Sequence, residues 1–137
     1  SDALTIHIPH TDTTEGLVDA RSISFMKPQS FLINTSRPKL VDDDALIDAL
    51  VSGKIGGAGL DVFEIEPLPR NHPYRTLHNV IATPHLGFVT EENYRIFFSE
   101  SKENLVAYIE EDPIRIITSD TPFLPDSQVA QQMHRRK

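Results

Sequence analysis

The sequence predicts an α/β fold, namely the later half of a doubly wound parallel sheet. Short apolar runs alternate with segments of helical periodicity, which is typical of strands joined by helical crossovers. The run Phe31–Asn34 is apolar on both faces, as expected for a strand between two helical layers. Only about four such runs are present, fewer than is usual for a sheet of this kind, and the first begins almost at Ser1 with no crossover before it.

The composition excludes several classes of protein. The 137 residues, with a net charge of −7 and 39% hydrophobic residues, fit one ordinary soluble domain rather than two. The absence of cysteine excludes disulfides, thiolate zinc sites and a cysteine nucleophile, and is compatible with the cytoplasm, where we expect the protein to reside. The acidic balance argues against a nucleic-acid partner. No apolar run approaches the roughly 20 residues of a membrane-spanning helix, so no membrane partner is expected.

The first part of the chain contains two predicted strands. Leu4–Ile8 alternates apolar and polar side chains and ends at Pro9, which lacks the N–H that a strand ladder needs. The hydroxyls of Thr11–Thr14 are expected to cap one or two helical turns, which end before Pro28. Phe31–Asn34 is the second strand.

The clearest helix is Val41–Ser52, which has three aspartates in its first turn, apolar residues at helical spacing and Gly53 just beyond its end. Two strands follow, a glycine-rich one over Ile55–Val62 and another over Asn79–Thr83, with the proline-rich loop Glu66–Pro73 between them. Strand, helix and strand in this order imply parallel strands joined by right-handed crossovers.

The last part of the chain is predicted to be mainly helical. A long amphipathic helix is expected over Thr90–Glu111, ended by Pro113. Ile114–Ile117 is interpreted as a last strand, and the polar, proline-containing segment from Ser119 as a flexible tail.

In parallel α/β sheets, ligands bind outside the carboxyl ends of the strands, so the polar residues after each apolar run are candidate site residues. After the four predicted strands these are, in order, His7, Pro9 and Thr14, then Asn34, Thr35, Ser36 and Arg37, then Asp61, Glu64 and Glu66, then Thr83, Pro84, His85 and Gly87. Arg37, the three carboxylates and His85 are thus expected to converge on one edge of the sheet.

Arg37 and His85 suit chemistry on a small acid. A guanidinium binds a carboxylate through two parallel hydrogen bonds, and a histidine held by a carboxylate carries protons near neutral pH. Taken singly, each residue has an ordinary alternative: Arg37 as a solvated loop cation, His85 as an exposed or capping side chain, and Glu64 and Glu66 as charges that keep a loop soluble. Their common position at strand ends favours a site.

Gly53, Gly56, Gly57 and Gly59 invite comparison with a phosphate-binding loop. Such a loop follows a strand and opens a helix, whereas these glycines follow a helix and enter a strand, and their spacing differs as well. We interpret Gly53 as a helix stop and the other three as positions of close packing.

We expect no metal at the site.

Three linked segments resemble the signatures of the D-isomer-specific 2-hydroxyacid dehydrogenases, in that family's order and spacing. They are Met26–Asp42, Gly57–Pro69 and Thr83–Gly87, and His7-Ile8-Pro9 with Thr14 is similar to the segment that precedes them. The resemblance extends to about Ile117 and implies a Rossmann-type nucleotide-binding domain.

The resemblance implies three catalytic residues. Arg37 would bind the carboxylate and carbonyl of a 2-oxo acid, and His85 would exchange a proton with the substrate oxygen while a hydride moves to or from nicotinamide. Glu66, rather than Glu64, would be the carboxylate that favours the charged imidazole and fixes its tautomer. The implied reaction interconverts a 2-oxo acid and a D-2-hydroxy acid.

The implied cofactor is NAD or NADP. Its contacts would come from Pro9, Thr14, Thr35, Ser36, Arg37, Asp61, His85 and Gly87. Among these, Asp61 would lie near the nicotinamide amide.

The resemblance also implies that the chain is the C-terminal portion of a longer enzyme and begins after the family's glycine-rich cofactor loop. Residues 1–89 would be the later half of the NAD(P)-binding domain, residues 90–118 the crossing helix and last strand of the substrate domain, and residues 119–137 the tail. The missing N-terminal portion would then be a partner, the complete enzyme a homodimer, and the isolated chain inactive. Phe88 replaces a commoner small or tyrosyl residue of the family.

Two other functions stay open at this point. A truncated remnant would act as a binding or assembly module through the apolar face of Thr90–Glu111 and would have no cofactor affinity. A corepressor-like relative would use the fold as a cofactor sensor. Retention of Arg37, Glu66 and His85 favours an enzyme over such a sensor.

Overall fold

The computed structural model describes residues 1–117 and contains one four-stranded sheet. Its strands are β1 (Ala3–Ile6), β2 (Phe31–Asn34), β3 (Gly57–Leu60) and β4 (Val80–Ala82), and they lie in the order β1-β2-β3-β4. All three neighbouring pairs are parallel. The predicted α/β fold with a parallel sheet is confirmed, although each strand except β2 is shorter than its apolar run.

The register brings the carboxyl ends of all four strands to one level. Ile6 is paired with Asn34, Asn34 with Leu60, and Leu60 with Ala82, so one row of residues crosses the whole sheet. The loops that carry the candidate site residues therefore begin side by side along the same edge, as the sequence predicts.

The helix α2 (Asp43–Val51) lies within the predicted range Val41–Ser52, and it begins two residues later and ends one residue earlier than predicted. The side chain of Asp42 accepts a hydrogen bond from the backbone N–H of Ala45 at 3.0 Å, which satisfies one of the free donors of the first turn. Beyond the last turn, Gly53 has a φ of 71°, a conformation that glycine adopts at little cost.

The helix α1 (Ala20–Ser24) is shorter than expected and has a different cap. Its N-cap is Asp19, whose carboxylate accepts from the N–H of Ser22 at 2.8 Å. The predicted capping role of Thr11–Thr14 is wrong, because the hydroxyl of Thr14 instead donates to the carbonyl of Pro9 at 3.0 Å and closes the loop after β1.

The core connects the sheet with α1, α2 and the loops after β2 and β3. Leu32, Leu40, Leu46 and Ile55 are at most 1% exposed. Full burial of an aliphatic side chain of this size contributes roughly 1.5–3 kcal/mol, so this cluster fixes the scaffold that presents the loops.

The chain divides into a unit over Ser1–Thr90 and a second unit that begins at Glu91. The second unit contains α3 (Glu91–Ile109), on which no side chain is buried. The helix ends with Glu111 at a φ of 59°, and the N–H of Asp112 donates to the carbonyl of Ala107 at 2.9 Å. Within residues 1–117, no helix is long and apolar enough to cross a membrane.

The predicted strand at Ile114–Ile117 is wrong, because the structure has no regular element there. Arg115 has a φ of 54°, which is incompatible with an extended strand. Its guanidinium binds α3 instead, with 2.7 Å to a carboxylate oxygen of Glu103 and 2.8 Å to the amide oxygen of Asn104. The tail predicted from Ser119 lies outside the described residues.

Candidate active site

Asp61 directly follows β3 and is held by the loop after β4. Its Oδ1 oxygen accepts hydrogen bonds from the hydroxyl of Thr83 at 2.5 Å and from the N–H of Leu86 at 2.8 Å. Its Oδ2 oxygen accepts from the N–H of Gly87 at 2.7 Å. One buried carboxylate, 4% exposed, thus binds residues on both sides of His85 in the chain.

The charge of this carboxylate is stabilised by the bonds that it accepts. Burial raises the pKa of the Asp61 carboxyl, but the hydrogen bonds from Thr83, Leu86 and Gly87 outweigh burial, and the pKa is lowered below its ordinary value. A Cβ atom at Gly87 would lie 3.1 Å from Oδ2 of Asp61, so glycine permits this close approach. The expected contact of Asp61 with a nicotinamide amide stays a prediction.

The side chains of Glu66 and His85 form a hydrogen-bonded pair in the site. Nδ1 of His85 lies 2.9 Å from Oε2 of Glu66, and Oε1 of the same carboxylate accepts from the N–H of Phe63 at 2.9 Å. The Phe63 hydrogen bond, followed by the one from His85, lowers the pKa of the Glu66 carboxyl. Both side chains are partly open to solvent, with 42% of His85 and 37% of Glu66 exposed.

The backbone of His85 is in the left-handed region, with a φ of 56°. Its N–H donates to the carbonyl of Thr83 at 3.0 Å, which tightens the turn after β4. The imidazole also packs against Phe88, with ring centroids 6.0 Å apart and planes at 79°.

The proline-rich loop that begins with Glu66 is followed by Tyr74 and Arg75, whose side chains form hydrogen bonds. Tyr74, 3% exposed, donates from its hydroxyl to a carboxylate oxygen of Asp43 on α2 at 2.7 Å. The guanidinium of Arg75 donates to the carbonyl of Pro69 at 2.9 Å and also to that of Leu68. The bond of Tyr74 therefore connects this segment to α2, and the bonds of Arg75 close the proline-rich loop on itself.

Arg37 follows β2 and is exposed. Its Nη1 donates to the carbonyl of Ser36 at 2.7 Å, which leaves most of the guanidinium N–H groups for a ligand. Within residues 1–117, no hydrogen bond or ion pair joins Arg37 to Glu66 or His85. The structure therefore places Arg37 on the same edge as the pair without direct contact.

Asn34 supports the backbone of the Arg37 loop. The side chain is 2% exposed, its Nδ2 donates to the carbonyl of Arg37 at 2.9 Å, and its Oδ1 accepts from the N–H of Ser36 at 3.1 Å. Sequence analysis named Asn34 only as a strand-end residue and missed this role. The signal was present, since a polar amide that closes a buried apolar strand needs partners for both of its ends.

The expected cofactor residues of the first two loops lie on the edge formed by β1 and β2. The hydroxyl of Ser36 donates to the carbonyl of Ile8 at 2.6 Å and joins the two loops. Thr14 is bound to the carbonyl of Pro9, as described above, and Thr35 is exposed. Within the part of the chain that the structure describes, no group of three or more His, Asp or Glu side chains is arranged to hold a metal ion.

A cavity of about 790 Å³ borders Glu66 but not Arg37 or His85. Its walls are mainly apolar and come from the proline-rich loop and β4, including Leu68, Val80 and Pro84. The cavity therefore reaches Glu66 without contacting the imidazole of His85.

Residues 1–87 match the family described as D-isomer specific 2-hydroxyacid dehydrogenase, NAD binding domain. The chain belongs to this family. The match contains all of the candidate residues between Pro9 and Gly87 and agrees with the parallel α/β sheet.

Relatives in the dehydrogenase family support the same assignment. Glyoxylate/hydroxypyruvate reductase B of Pectobacterium carotovorum is 46% identical over 107 residues, which are 78% of this chain and 33% of that protein. Glyoxylate reductase of Thermofilum pendens is 42% identical over 109 residues, covering 80% of this chain and 32% of that protein. The crystal structure of a putative D-3-phosphoglycerate dehydrogenase from Ralstonia solanacearum superposes with a TM-score of 0.80 at 33% identity, covering 85% of this chain and 34% of that one.

The chain spans about a third of the length of these curated relatives. What the whole of each relative does therefore applies to this chain only as a proposal.

Proposed function

We propose that this chain supplies the acid/base and carboxylate-binding residues of an NAD(P)-dependent dehydrogenase that interconverts a 2-oxo acid and a D-2-hydroxy acid. The observation that carries the proposal is the 2.9 Å contact between Glu66 and His85 at the carboxyl edge of the sheet. The names of the relatives, glyoxylate reductase and glyoxylate/hydroxypyruvate reductase, support a small 2-oxo acid as the substrate.

His85 is the proton carrier of the proposed reaction. Nδ1 is engaged by Glu66, so Nε2 is the ring nitrogen available to a substrate oxygen. In the direction of reduction, Nε2 donates a proton to the carbonyl oxygen of the 2-oxo acid, and in oxidation it accepts the proton of the hydroxyl group. Glu66 has a lowered pKa and is ionised near neutral pH, so it stabilises the imidazolium.

Arg37 binds the substrate carboxylate in this proposal. A guanidinium presents paired N–H groups that match the two oxygens of a carboxylate. Asn34 and Ser36 fix the backbone from which the side chain extends. Binding the acid end of the substrate here would orient its carbonyl oxygen for His85.

The residues at the carboxyl ends of β1 and β2 fit the nicotinamide end of a dinucleotide better than its pyrophosphate. Exposed Pro9 and Thr35 lie at adjacent strand ends with Ser36 joining their loops. Within residues 1–117, Gly53 follows α2, Gly56 precedes β3, and Gly57 and Gly59 lie in β3, so these glycines do not form a strand-to-helix phosphate loop. When bound, the nicotinamide supplies or takes up the hydride that accompanies the proton of His85.

The experiment is a chimera in which residues 1–117 replace the matching segment of Pectobacterium glyoxylate/hydroxypyruvate reductase B. Reduction of glyoxylate is followed by consumption of NADH or NADPH. The chimera should be active, His85→Asn should abolish most turnover, and Arg37→Gln should mainly raise the KM for glyoxylate. A folded chimera whose turnover is unchanged by His85→Asn would overturn the proposed proton role.

The second candidate is a binding or assembly module, favoured by the apolar side chains that α3 exposes. Phe98, Leu105, Tyr108 and Ile109 are each more than 60% exposed. A module predicts self-association or partner binding without nucleotide affinity, so detectable binding of NADH to the chain would contradict the module. The homodimer and the cytoplasmic location of the complete enzyme are further parts of our main proposal.

A further inference from the structure

The ring of Phe88 lies beside the imidazole of His85, the proposed proton carrier. The ring centroids of Phe88 and His85 are 6.0 Å apart, with the planes at 79°. This edge-to-face arrangement is one of the favourable geometries of aromatic pairs, whose centroids lie about 4.5–7 Å apart. The contact therefore has a geometry that is favourable for two aromatic rings.

We propose that Phe88 is a positioning residue, whose ring holds the imidazole of His85 in the orientation that directs Nδ1 to Glu66. The proposal rests on the proposed function, in which His85 carries the proton. In this proposal two groups orient the imidazole, namely the carboxylate of Glu66 and the ring of Phe88.

The local backbone brings Phe88 back towards His85. Asp61 fixes the N–H groups of Leu86 and Gly87, and the N–H of Val89 donates to the carbonyl of Leu86 at 2.9 Å. This turn places Phe88, three residues after His85, on the same side as the imidazole. The position of the ring is thus set by the same carboxylate that fixes the backbone of His85.

The imidazole needs such support because one hydrogen bond does not determine its orientation. The contact with Glu66 fixes one ring nitrogen, and 42% of the His85 side chain is exposed to solvent, which offers alternative partners. A ring packed against the imidazole restricts rotation about its side-chain bonds. Phe88 thereby favours the rotamer in which the hydrogen on Nδ1 meets the carboxylate and Nε2 is left for the substrate.

The test uses the isotope-labelled full chain and two NMR readouts. The first is the tautomer of His85, read from its ring nitrogen shifts above the pH at which it is neutral. The second is the pKa of the Glu66 carboxyl, which the His85 hydrogen bond helps to lower. Neither readout requires turnover, so this proposal and the proposed function fail independently.

In the unaltered chain we expect the hydrogen on Nδ1, because that nitrogen faces an ionised carboxylate. Phe88→Ala should produce a mixture of tautomers and raise the pKa of Glu66 towards its ordinary value, while the Phe63 hydrogen bond prevents a full return. Phe88→Tyr should restore both readouts because it keeps the ring. Phe25→Ala is the matched control, since Phe25 is 78% exposed and follows α1, and it should change neither readout.

Phe88→Leu keeps the apolar volume and covers the case in which the alanine variant does not fold. A folded leucine or alanine variant that retains the Nδ1 tautomer and the lowered pKa of Glu66 would overturn the proposal. An equal effect of Phe88→Ala on Glu66 in a His85→Asn background would also contradict it, because Phe88 would then act without His85.

Discussion

The carboxylate of Glu66 joins Nδ1 of His85 to the backbone of Phe63, with 2.9 Å to each partner. Oε1 of Glu66 is thus bound within its own loop, after β3. Oε2 binds the imidazole of His85, which lies in the loop after β4. The orientation of His85 therefore depends on Glu66, which lies 19 residues earlier in the chain.

Glu66→Gln should slow 2-oxo acid reduction in the chimera by about 10²-fold, because general acid/base catalysis contributes about 10²–10⁴-fold and the amide retains the shape but not the charge of the carboxylate. The effect should fall on kcat more than on the KM for the oxo acid. Steady-state kinetics measure both. Glu64→Gln, a change of an exposed glutamate on the same loop, is the control and should leave both parameters unchanged.

Asp61→Asn should destabilise the chain by about 1–3 kcal/mol near neutral pH, because the amide nitrogen cannot accept the hydrogen bonds made to the carboxylate. The effect should depend on pH. The folded pKa of Asp61 is lowered, so its stabilisation is present above the unfolded value of 3.8 and is lost as the pH falls through the lower folded value.

Urea unfolding at about pH 7 and at about pH 3 tests this expectation for Asp61. The difference between the unaltered chain and the asparagine variant should shrink in acid. A difference that stays constant would show that the charge of Asp61 does not stabilise the fold.

Gly57→Ala should destabilise the sheet by about 1–3 kcal/mol, the usual cost of overpacking. A Cβ atom at Gly57 would lie 2.6 Å from the carbonyl oxygen of Asn79, which would have to move. Gly59→Ala is the matched control in the same strand, because its Cβ would meet only the side chain of Ile33 at 3.8 Å. Chemical denaturation should separate the two variants, and equal stability would contradict the close approach at Gly57.

Tyr74→Phe should cost about 1.5–3 kcal/mol through loss of the hydrogen bond to the charged carboxylate of Asp43. Burial, then the bond to Asp43, raises the pKa of the Tyr74 phenol well above its ordinary value. The folded state therefore retains the proton longer than the unfolded state, and the stabilisation is lost as the pH rises above the unfolded value of 10.0. Unfolding measured from neutral to alkaline pH should show that the phenylalanine variant loses less stability in this range.

The fold was predictable where the signals are local. Asp42 and Gly53 mark the two ends of α2, and the doubly apolar run of β2 identifies a buried strand. The strand expected at Ile114–Ile117 is absent because pairing depends on a distant partner. In the described structure that segment is bound to α3 through the ion pair of Arg115 with Glu103, which no local pattern reveals.

The candidate site was predictable in its location but not in its contacts. The common edge followed from the strand ends, whereas the assignment of Glu66 rather than Glu64 to His85 came from a family resemblance. The three hydrogen bonds of Asp61 were not predictable, because their donors include backbone N–H groups whose directions depend on the turn around His85.

The left-handed backbone at position 85 limits which residues could replace His85 during evolution. Among residues other than glycine, this conformation is adopted most readily by asparagine, aspartate and histidine. Of these, only histidine changes its charge near neutral pH without a shifted pKa. In the proposed function, the backbone conformation and the proton transfer therefore favour the same amino acid at position 85 for two independent reasons.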